Sequence, residues 1–251
     1  MSGTHSVTGR AVVVWAVRPG LEITGPREAQ GLTARLLGWA RRARPLVEAC
    51  LGGPLGAVRV VAYRGAPVDG EALGGVLAPA NAAAYAVPAE GVVRVDLDRI
   101  LGARSPAGVI GHEFGHIAWH RLSGLADTGR RTPRWAEEGA LLRLVTSDLT
   151  PEEQGAVSRF ARMDAAREFG FDRVEAGLAG GQPWAYAQAL IVGRHLDLLR
   201  PGWPARLLEL LRRDSSAEGD GAVAASLGTT RGALEATCRA ALERFLEAEA
   251  G

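Results

Sequence analysis

Two histidines and a glutamate lie close together near the middle of this 251-residue chain, in the run His112-Glu113-Phe114-Gly115-His116. Residues four apart lie on one face of an α-helix, about one turn from each other, so both imidazoles can reach a single metal ion. A glutamate next to the first histidine can accept a proton from water activated by that ion. The spacing therefore predicts a helix that binds one zinc ion, with Glu113 as general base and acid.

The apolar residues around this motif indicate a helix in the protein core. An unliganded face of two histidines and a glutamate would be poorly solvated there, which favours a bound cation over a chance pair of histidines. Gly111 and Gly115 each weaken a helix by about 1 kcal/mol relative to alanine, and we attribute this cost to a second backbone that packs close to the site. The apolar residues are Val109, Ile110, Phe114, Ile117 and Leu122.

A catalytic zinc site commonly has three protein ligands, so two histidines leave one ligand to be found. The metzincin pattern is excluded, because Trp119 and Leu122 stand where that pattern requires glycine and histidine. His120 lies one turn beyond His116, but the helix twist carries it off the shared face, and it is the weaker alternative.

Glu138 is the predicted third ligand, on a second helix that begins near Thr132-Pro133. Leu141 and Leu142 follow it three and four residues on, so Glu138 projects from the inward face, where a carboxylate needs a cation or hydrogen bonds. Glu137 is the alternative, but it is typical of a surface carboxylate that complements the helix dipole and pairs with Arg134. The 21 residues between the second histidine and Glu138 allow a loop and an antiparallel return.

The two motifs together resemble those of the gluzincins. His112-Glu113-x-x-His116 followed by Trp135-x-x-Glu138-Gly139 is similar to the pattern of the peptidase MA-like metallohydrolases, relatives of thermolysin-like enzymes and of zinc aminopeptidases. The downstream run from Ala185 to Leu190 is also similar to that family. The resemblance implies a zincin-like α+β fold and one Zn²⁺ per chain, held by the two histidines and Glu138.

The resemblance also implies a role for Tyr186, as the hydrogen-bond donor that stabilises the oxyanion of a tetrahedral intermediate. A tyrosine packed in the core beside Trp184 is the alternative. Thermolysin-like enzymes carry an aspartate four residues after the glutamate ligand, whereas this chain has Leu142. Zinc aminopeptidases carry a G-x-M-E-N loop, whereas the corresponding residues 74–81 include no glutamate.

Three functions agree with these motifs. The first is a zinc metallopeptidase, an endopeptidase in particular, whose extended peptide substrate pairs with an exposed sheet edge near residues 92–97. The second is a zinc hydrolase of the same fold that acts on a modified peptide or small amide in a biosynthetic pathway. The third is a noncatalytic zinc-binding module, which would have no use for Glu113.

Composition excludes other classes of protein. The chain has 29 basic and 28 acidic residues, and every basic residue is arginine, so it has no excess of positive charge for binding nucleic acid. No run of about 20 apolar residues predicts a membrane span, and the start of the chain lacks the pattern of a secretory signal, so we expect a cytoplasmic protein. Cys50 and Cys238 have neither metal-ligand nor disulfide spacing and are interpreted as small core residues.

The elements that position these residues form an α+β pattern, with a small mixed sheet and helices, then the active-site helix, then a mainly helical half. We expect an N-terminal part, residues 1–125, and a helical C-terminal part, residues 126–251, within a single compact catalytic unit. Residues 74–88 are too irregular to assign but are a possible edge strand beside residues 92–97. The predicted strands are 11–17, 57–63 and 92–97, and the predicted helices are 27–51, one from Ser105-Pro106, one from Thr132-Pro133, 151–168, 183–199, 204–213 and 230–248.

Overall fold

The computed structural model describes residues 12–64, 82–124, 132–145, 151–163 and 169–248. They form two compact units. The first extends to Ala49 and continues over Gly53–Arg121, and the second comprises Cys50–Gly52 and the residues from Leu122 onward. The first unit contains a β-sheet with helices, and the described part of the second is helical.

The sheet of the first unit has five strands in the spatial order β1-β2-β3-β5-β4. β1 pairs antiparallel with β2, and β4 pairs antiparallel with β5, whereas β2, β3 and β5 run parallel. The predicted small mixed sheet in the N-terminal half is therefore confirmed. The strands are β1 (Val12–Arg18), β2 (Leu21–Pro26), β3 (Val58–Tyr63), β4 (Ala84–Val87) and β5 (Val92–Asp96).

The expectation of an exposed edge near residues 92–97 is wrong. β5 lies between β3 and β4 and forms ladder hydrogen bonds with both, and Val93 and Val95 are fully buried. Its run of valines suits an internal strand. Within the described residues the edge strand on this side is β4. It lies within 74–88, the segment predicted as a candidate edge strand beside residues 92–97, of which residues 74–81 lie outside the described chain.

One strand, β2, was not predicted. Two of its residues, Glu22 and Thr24, are polar and alternate with apolar ones. Its pairing with β1 depends on a tight turn at Pro19-Gly20. Gly20 has a φ of 70°, a left-handed conformation that glycine adopts at little cost. The strand therefore depends on its pairing partners more than on a distinctive hydrophobic pattern.

Three helices accompany the sheet: α1 (Thr33–Leu51), α2 (Leu97–Ile100) and α3 (Pro106–Leu122). α1 supplies the crossover between the parallel strands β2 and β3, as such a pair requires. Residues 27–32, predicted as the start of this helix, form a 3₁₀ turn instead. One stripe of α1 is buried, at Leu36, Ala40, Ala43 and Val47.

The predicted helical C-terminal half is confirmed for the described residues of the second unit. α4 begins just after Thr132-Pro133, and α7 has the predicted bounds. α6 and α9 were not predicted, because both are short and contain glycine. The helices are α4 (Arg134–Val145), α5 (Pro151–Arg162), α6 (Phe171–Ala179), α7 (Pro183–Leu199), α8 (Trp203–Arg213), α9 (Gly219–Ser226) and α10 (Arg231–Ala248).

Both cysteines are free and buried, as predicted. Burial raises the pKa of the Cys238 thiol to about 12. Burial also raises the pKa of Cys50, although the guanidinium of Arg143 donates a hydrogen bond to its sulfur at 3.1 Å and opposes the shift. Among the helices of the described chain, none combines the length and the apolar character needed to cross a membrane.

Candidate metal centre

Helix α3 carries the His112-Glu113-x-x-His116 motif and begins as the sequence indicates. Pro106 is its first residue, and the Ser105 hydroxyl accepts a hydrogen bond from the Gly108 amide at 3.3 Å. Ile110, Phe114 and Ile117 are fully buried, whereas both histidines are partly exposed. The apolar stripe therefore packs α3 into the core of the first unit, and the face that carries the two histidines remains partly exposed.

The two imidazoles point their Nε2 atoms at each other. These atoms are 3.1 Å apart, and the rings meet edge to face with centroids 4.7 Å apart. Two nitrogens bound to one tetrahedral zinc at 2.0–2.1 Å would be separated by about 3.3 Å. The histidine pair is thus already spaced for a shared zinc ion, and the donor atoms are of the type that zinc prefers.

The explanation offered for Gly111 is not supported. A Cβ added there would lie 3.6 Å from the Cβ of Ala43, which is ordinary van der Waals contact. Alanine would therefore fit beside α1 without displacing it. A close backbone approach of the kind expected at Gly111 occurs at Gly139 of α4.

Helix α4 carries both candidate carboxylates, and its burial corrects our expectation for Glu137. Glu137 is 7% exposed, so it is not a surface carboxylate paired with Arg134. Glu138 is more exposed than Glu137, although Leu141 after it is fully buried. The surface prediction failed because α4 is buried around most of its circumference, which a one-sided helical pattern does not describe.

The first turn of α4 is held by Trp135. Its indole Nε1 donates to the Asp220 carboxylate at 2.8 Å, and its backbone amide donates to Glu175 at 3.2 Å. Its ring stacks on Phe171, with centroids 4.2 Å apart and planes 3° from parallel. Sequence reasoning missed these partners, although a buried tryptophan does require an acceptor for its indole N–H.

The middle of α4 is held against α7 by two glycines. A Cβ added to Gly139 would lie 2.6 Å from the Ala189 carbonyl oxygen and 3.2 Å from the Gly193 Cα. Real side chains do not approach backbone so closely, so the glycine is required by the packing. The glycine of the Trp135-x-x-Glu138-Gly139 motif therefore lets two helices meet backbone to backbone next to the candidate ligand.

His112, His116 and Glu138 each offer one ligand atom within 4.8 Å of the others. In the described chain they are the one group of three or more histidine, cysteine, aspartate or glutamate side chains with such spacing. Neither His120 nor Glu137 belongs to this group. Two imidazoles and one carboxylate form a donor set found in catalytic zinc sites, so the residues present fit the ion.

The two residues with predicted chemical roles are both partly exposed. Glu113 lies on α3 directly after the first histidine, about 100° around the helix from it. Tyr186 lies in the first turn of α7. It is three residues before Ala189 and seven before Gly193, so it lies on the face of α7 that meets α4.

Comparisons of the chain with protein-family models, with curated proteins and with solved structures found no match. The gluzincin resemblance therefore rests on the motif residues themselves. The loop that distinguishes zinc aminopeptidases would fall in residues 74–81, which lie outside the described residues.

Proposed function

We propose that this protein is a zinc-dependent metallopeptidase of the gluzincin type, with a zincin-like fold, that cleaves peptide bonds within a chain. The observation that carries the proposal is the grouping of one ligand atom each from His112, His116 and Glu138. The mixed sheet, the histidine helix and the helical second unit agree with it. The histidines would bind through Nε2, the atoms that already face each other.

Zinc in such a site supplies Lewis acidity toward water and toward the carbonyl of the scissile bond. The chain's own residues then move the protons. Glu113 accepts a proton from the attacking water and delivers it to the leaving amine, which needs a carboxylate close to the first ligand but not bound to the ion. Its place on α3, one residue after His112, meets that requirement.

Tyr186 is proposed as the donor to the oxyanion that forms when water attacks the carbonyl. Its position on the face of α7 that meets α4 supports this role. The tight contact between Gly139 and Gly193 would hold the tyrosine's helix at a fixed distance from the helix of Glu138. A fixed donor of this kind stabilises a transition state because it needs no reorganisation during the reaction.

The substrate is proposed to be an extended peptide that adds to the sheet. Since β5 is hydrogen-bonded on both sides, the strand proposed for such pairing is the edge strand beside it, β4, Ala84–Val87. Among the described strands β4 is the last on this side of the sheet, and its pairing with β5 is antiparallel. A peptide bound there would be held through its backbone, which permits cleavage away from the termini.

The proposal is tested by incubating zinc-loaded protein with internally quenched peptides blocked at both ends, alongside aminoacyl amides and small amides. We expect cleavage of internal bonds in the blocked peptides. Glu113→Gln removes the proton acceptor but no ligand, so it should retain zinc and lose about 10²–10⁴-fold in turnover.

Two outcomes would contradict the proposed catalytic mechanism, and a third would change the proposed substrate class. One is an absence of hydrolysis across the panel by protein that contains one zinc per chain, which would favour a noncatalytic zinc module. The other is turnover by Glu113→Gln within about tenfold of the parent, since general-base loss is typically larger than that. Cleavage of small amides but not of blocked peptides would replace the endopeptidase with a hydrolase of small amides.

A further inference from the structure

Strand β1 lies at the opposite edge of the sheet from β4, and the proposed hydrolysis makes no use of it. Among the described strands it is the last on its side, and it pairs antiparallel with β2. Edge strands present N–H and C=O groups to other chains, and natural proteins protect such edges with short strands or with charged side chains. β1 has neither of these protections, because it has seven residues and its one charged residue, Arg18, is the last of them.

A register shift in β1 places two valines on one face of the sheet. The ladder partner of Val14 is Thr24, and that of Val17 is Glu22. These partners are two residues apart on β2 and therefore share a face, so the two valines share it as well, although they are three residues apart. The cause is the register shift between Val14 and Ala16, as expected for a β-bulge, which inserts one extra residue into a strand.

Both valines are exposed to solvent, Val14 to 57% and Val17 to 60%. At the other edge of the sheet, by contrast, Ala84 and Val87 of β4 are buried. A bulge commonly helps to protect a sheet edge, but this one aligns two exposed apolar side chains along it. The β1 edge therefore combines a long strand, little charge and a small apolar surface, which are the features of a strand that pairs with another chain.

We propose that β1 pairs antiparallel with β1 of a second copy of this chain, about a two-fold axis perpendicular to the sheet. Residues directly opposite each other in such a pair lie on the same face. Val14 of each copy would lie opposite Val17 of the other, so four exposed valines would be covered in two cross-strand contacts. The two five-stranded sheets would become one continuous sheet. Because both copies use the same strand, the assembly closes as a dimer and does not grow into a fibre.

The charges agree with pairing between identical copies. In this register Arg18 lies opposite Val13 of the second copy, and the two copies of Arg18 are five residues apart along the paired strands. That separation is roughly 16 Å, beyond the distance over which exposed charges interact strongly at physiological salt. The whole chain has a formal net charge of +1, so repulsion between two copies is small.

The first test is sedimentation velocity of the full chain over a range of concentrations. We expect a reversible dimer with a dissociation constant on the order of 10 µM, because one pair of strands forms a small interface. Val14→Lys adds two charges to each dimer and should weaken it at least about tenfold, while circular dichroism reports a folded protein. Leu198→Lys is the control, since Leu198 is 82% exposed on α7 and lies outside the sheet, and it should dimerise as the parent does.

Three outcomes of this test would overturn the proposal. The first is a parent chain that remains monomeric at about 100 µM, tenfold above the expected dissociation constant. The second is a Val14→Lys variant that dimerises as strongly as the parent, or a Leu198→Lys variant that does not dimerise, since either would place the interface elsewhere. The third is growth beyond the dimer as concentration rises, which would indicate pairing between different edges.

A second test checks the register and does not depend on Val14→Lys. Val14→Cys and Val17→Cys are prepared separately, mixed and mildly oxidised. Directly opposite Cβ atoms lie about 4.5–5.5 Å apart, so the mixture should form a disulfide between one copy of each variant. Either variant alone should not, because its two introduced thiols would lie three residues apart, roughly 10 Å. Absence of a cross-link in the mixture, or equal cross-linking of a single variant, would overturn the register. Both readouts measure association through β1, so a failure here leaves the hydrolase proposal unaffected.

Discussion

Helix α3, with the two histidines, and helix α4, with Glu138, are positioned by different means. α3 has a local start at Ser105-Pro106 and a simple apolar stripe. The first turn of α4 is held by partners 40 and 85 residues away in sequence, Glu175 and Asp220, and its middle by a backbone contact with Gly193.

The difference separates what helix geometry fixes from what distant packing fixes. The spacing of His112 and His116 follows from residues four apart on one helix, so changes elsewhere should leave their pairing intact. The position of Glu138 depends on the contacts that seat α4 in the second unit. Lesions in those contacts should therefore reduce zinc affinity through Glu138 while the histidine pair remains formed.

The largest effect is expected from His116→Ala. This variant removes one of the two histidine ligands whose spacing the helix fixes. Loss of a residue that only hydrogen-bonds to a metal ligand lowers metal affinity roughly 10–100-fold, and the loss of a ligand itself should lower zinc affinity by more than that. His120→Ala on the same helix is the matched control and should bind zinc as the parent does. Zinc content after dialysis, measured by mass spectrometry, checks both. Retention of zinc by His116→Ala would exclude this histidine as a ligand.

The next effect distinguishes the two adjacent carboxylates of α4. Neighbouring helix residues point about 100° apart, so only one can reach an ion on the histidine face. Glu138→Gln should lower zinc affinity by about 100-fold or more, beyond the effect of losing an outer partner. Glu137→Gln should bind zinc almost normally. Because Glu137 is buried, this variant should lose thermal stability through altered packing and not through loss of the ion. The reverse ranking in a competitive zinc titration would overturn the helix register.

A smaller effect is expected where α4 meets α7. In Gly193→Ala the new Cβ would lie 2.7 Å from the Cα of Gly139, and such overpacking typically destabilises by about 1–3 kcal/mol. Gly232→Ala in α10 is the control: nothing lies within 4 Å, so it should stabilise by up to about 1 kcal/mol. Urea unfolding compares the two. Equal stabilities would show that the two helices do not need this glycine contact.

The smallest effect concerns the anchor of Trp135. Asp220→Asn weakens the hydrogen bond from Nε1 and the ion pair with Arg231, and should destabilise by about 1–2 kcal/mol. Asp172→Asn is the matched control, because Asp172 pairs with the same arginine but its side chain is 92% exposed. Thermal unfolding measures both variants. If Asp172→Asn cost as much as Asp220→Asn, the indole hydrogen bond would not be the anchor.

The sequence predicted most of the helices and the internal strands, because their patterns are local. The helix of His112 and His116 begins at Pro106, as Ser105-Pro106 indicates, and the valine-rich strands lie where expected. It did not predict β2, whose formation depends on pairing, or the place of β5 inside the sheet. Strand order depends on contacts between distant segments, and periodicity carries no information about it.

The sequence alone determined the candidate chemistry, since the spacing of His112, Glu113 and His116 on a helix follows from helix geometry. Tertiary structure decided how deeply each of the two adjacent carboxylates of α4 is buried. Glu137 is buried and Glu138 is more exposed because α4 is enclosed on several sides, a result of packing around Trp135 and Gly139 that no single helical period encodes. Tertiary structure also created the cavity of about 220 Å³ that Ile191 of α7 and Ala241 and Phe245 of α10 line, because it brings together segments about 50 residues apart.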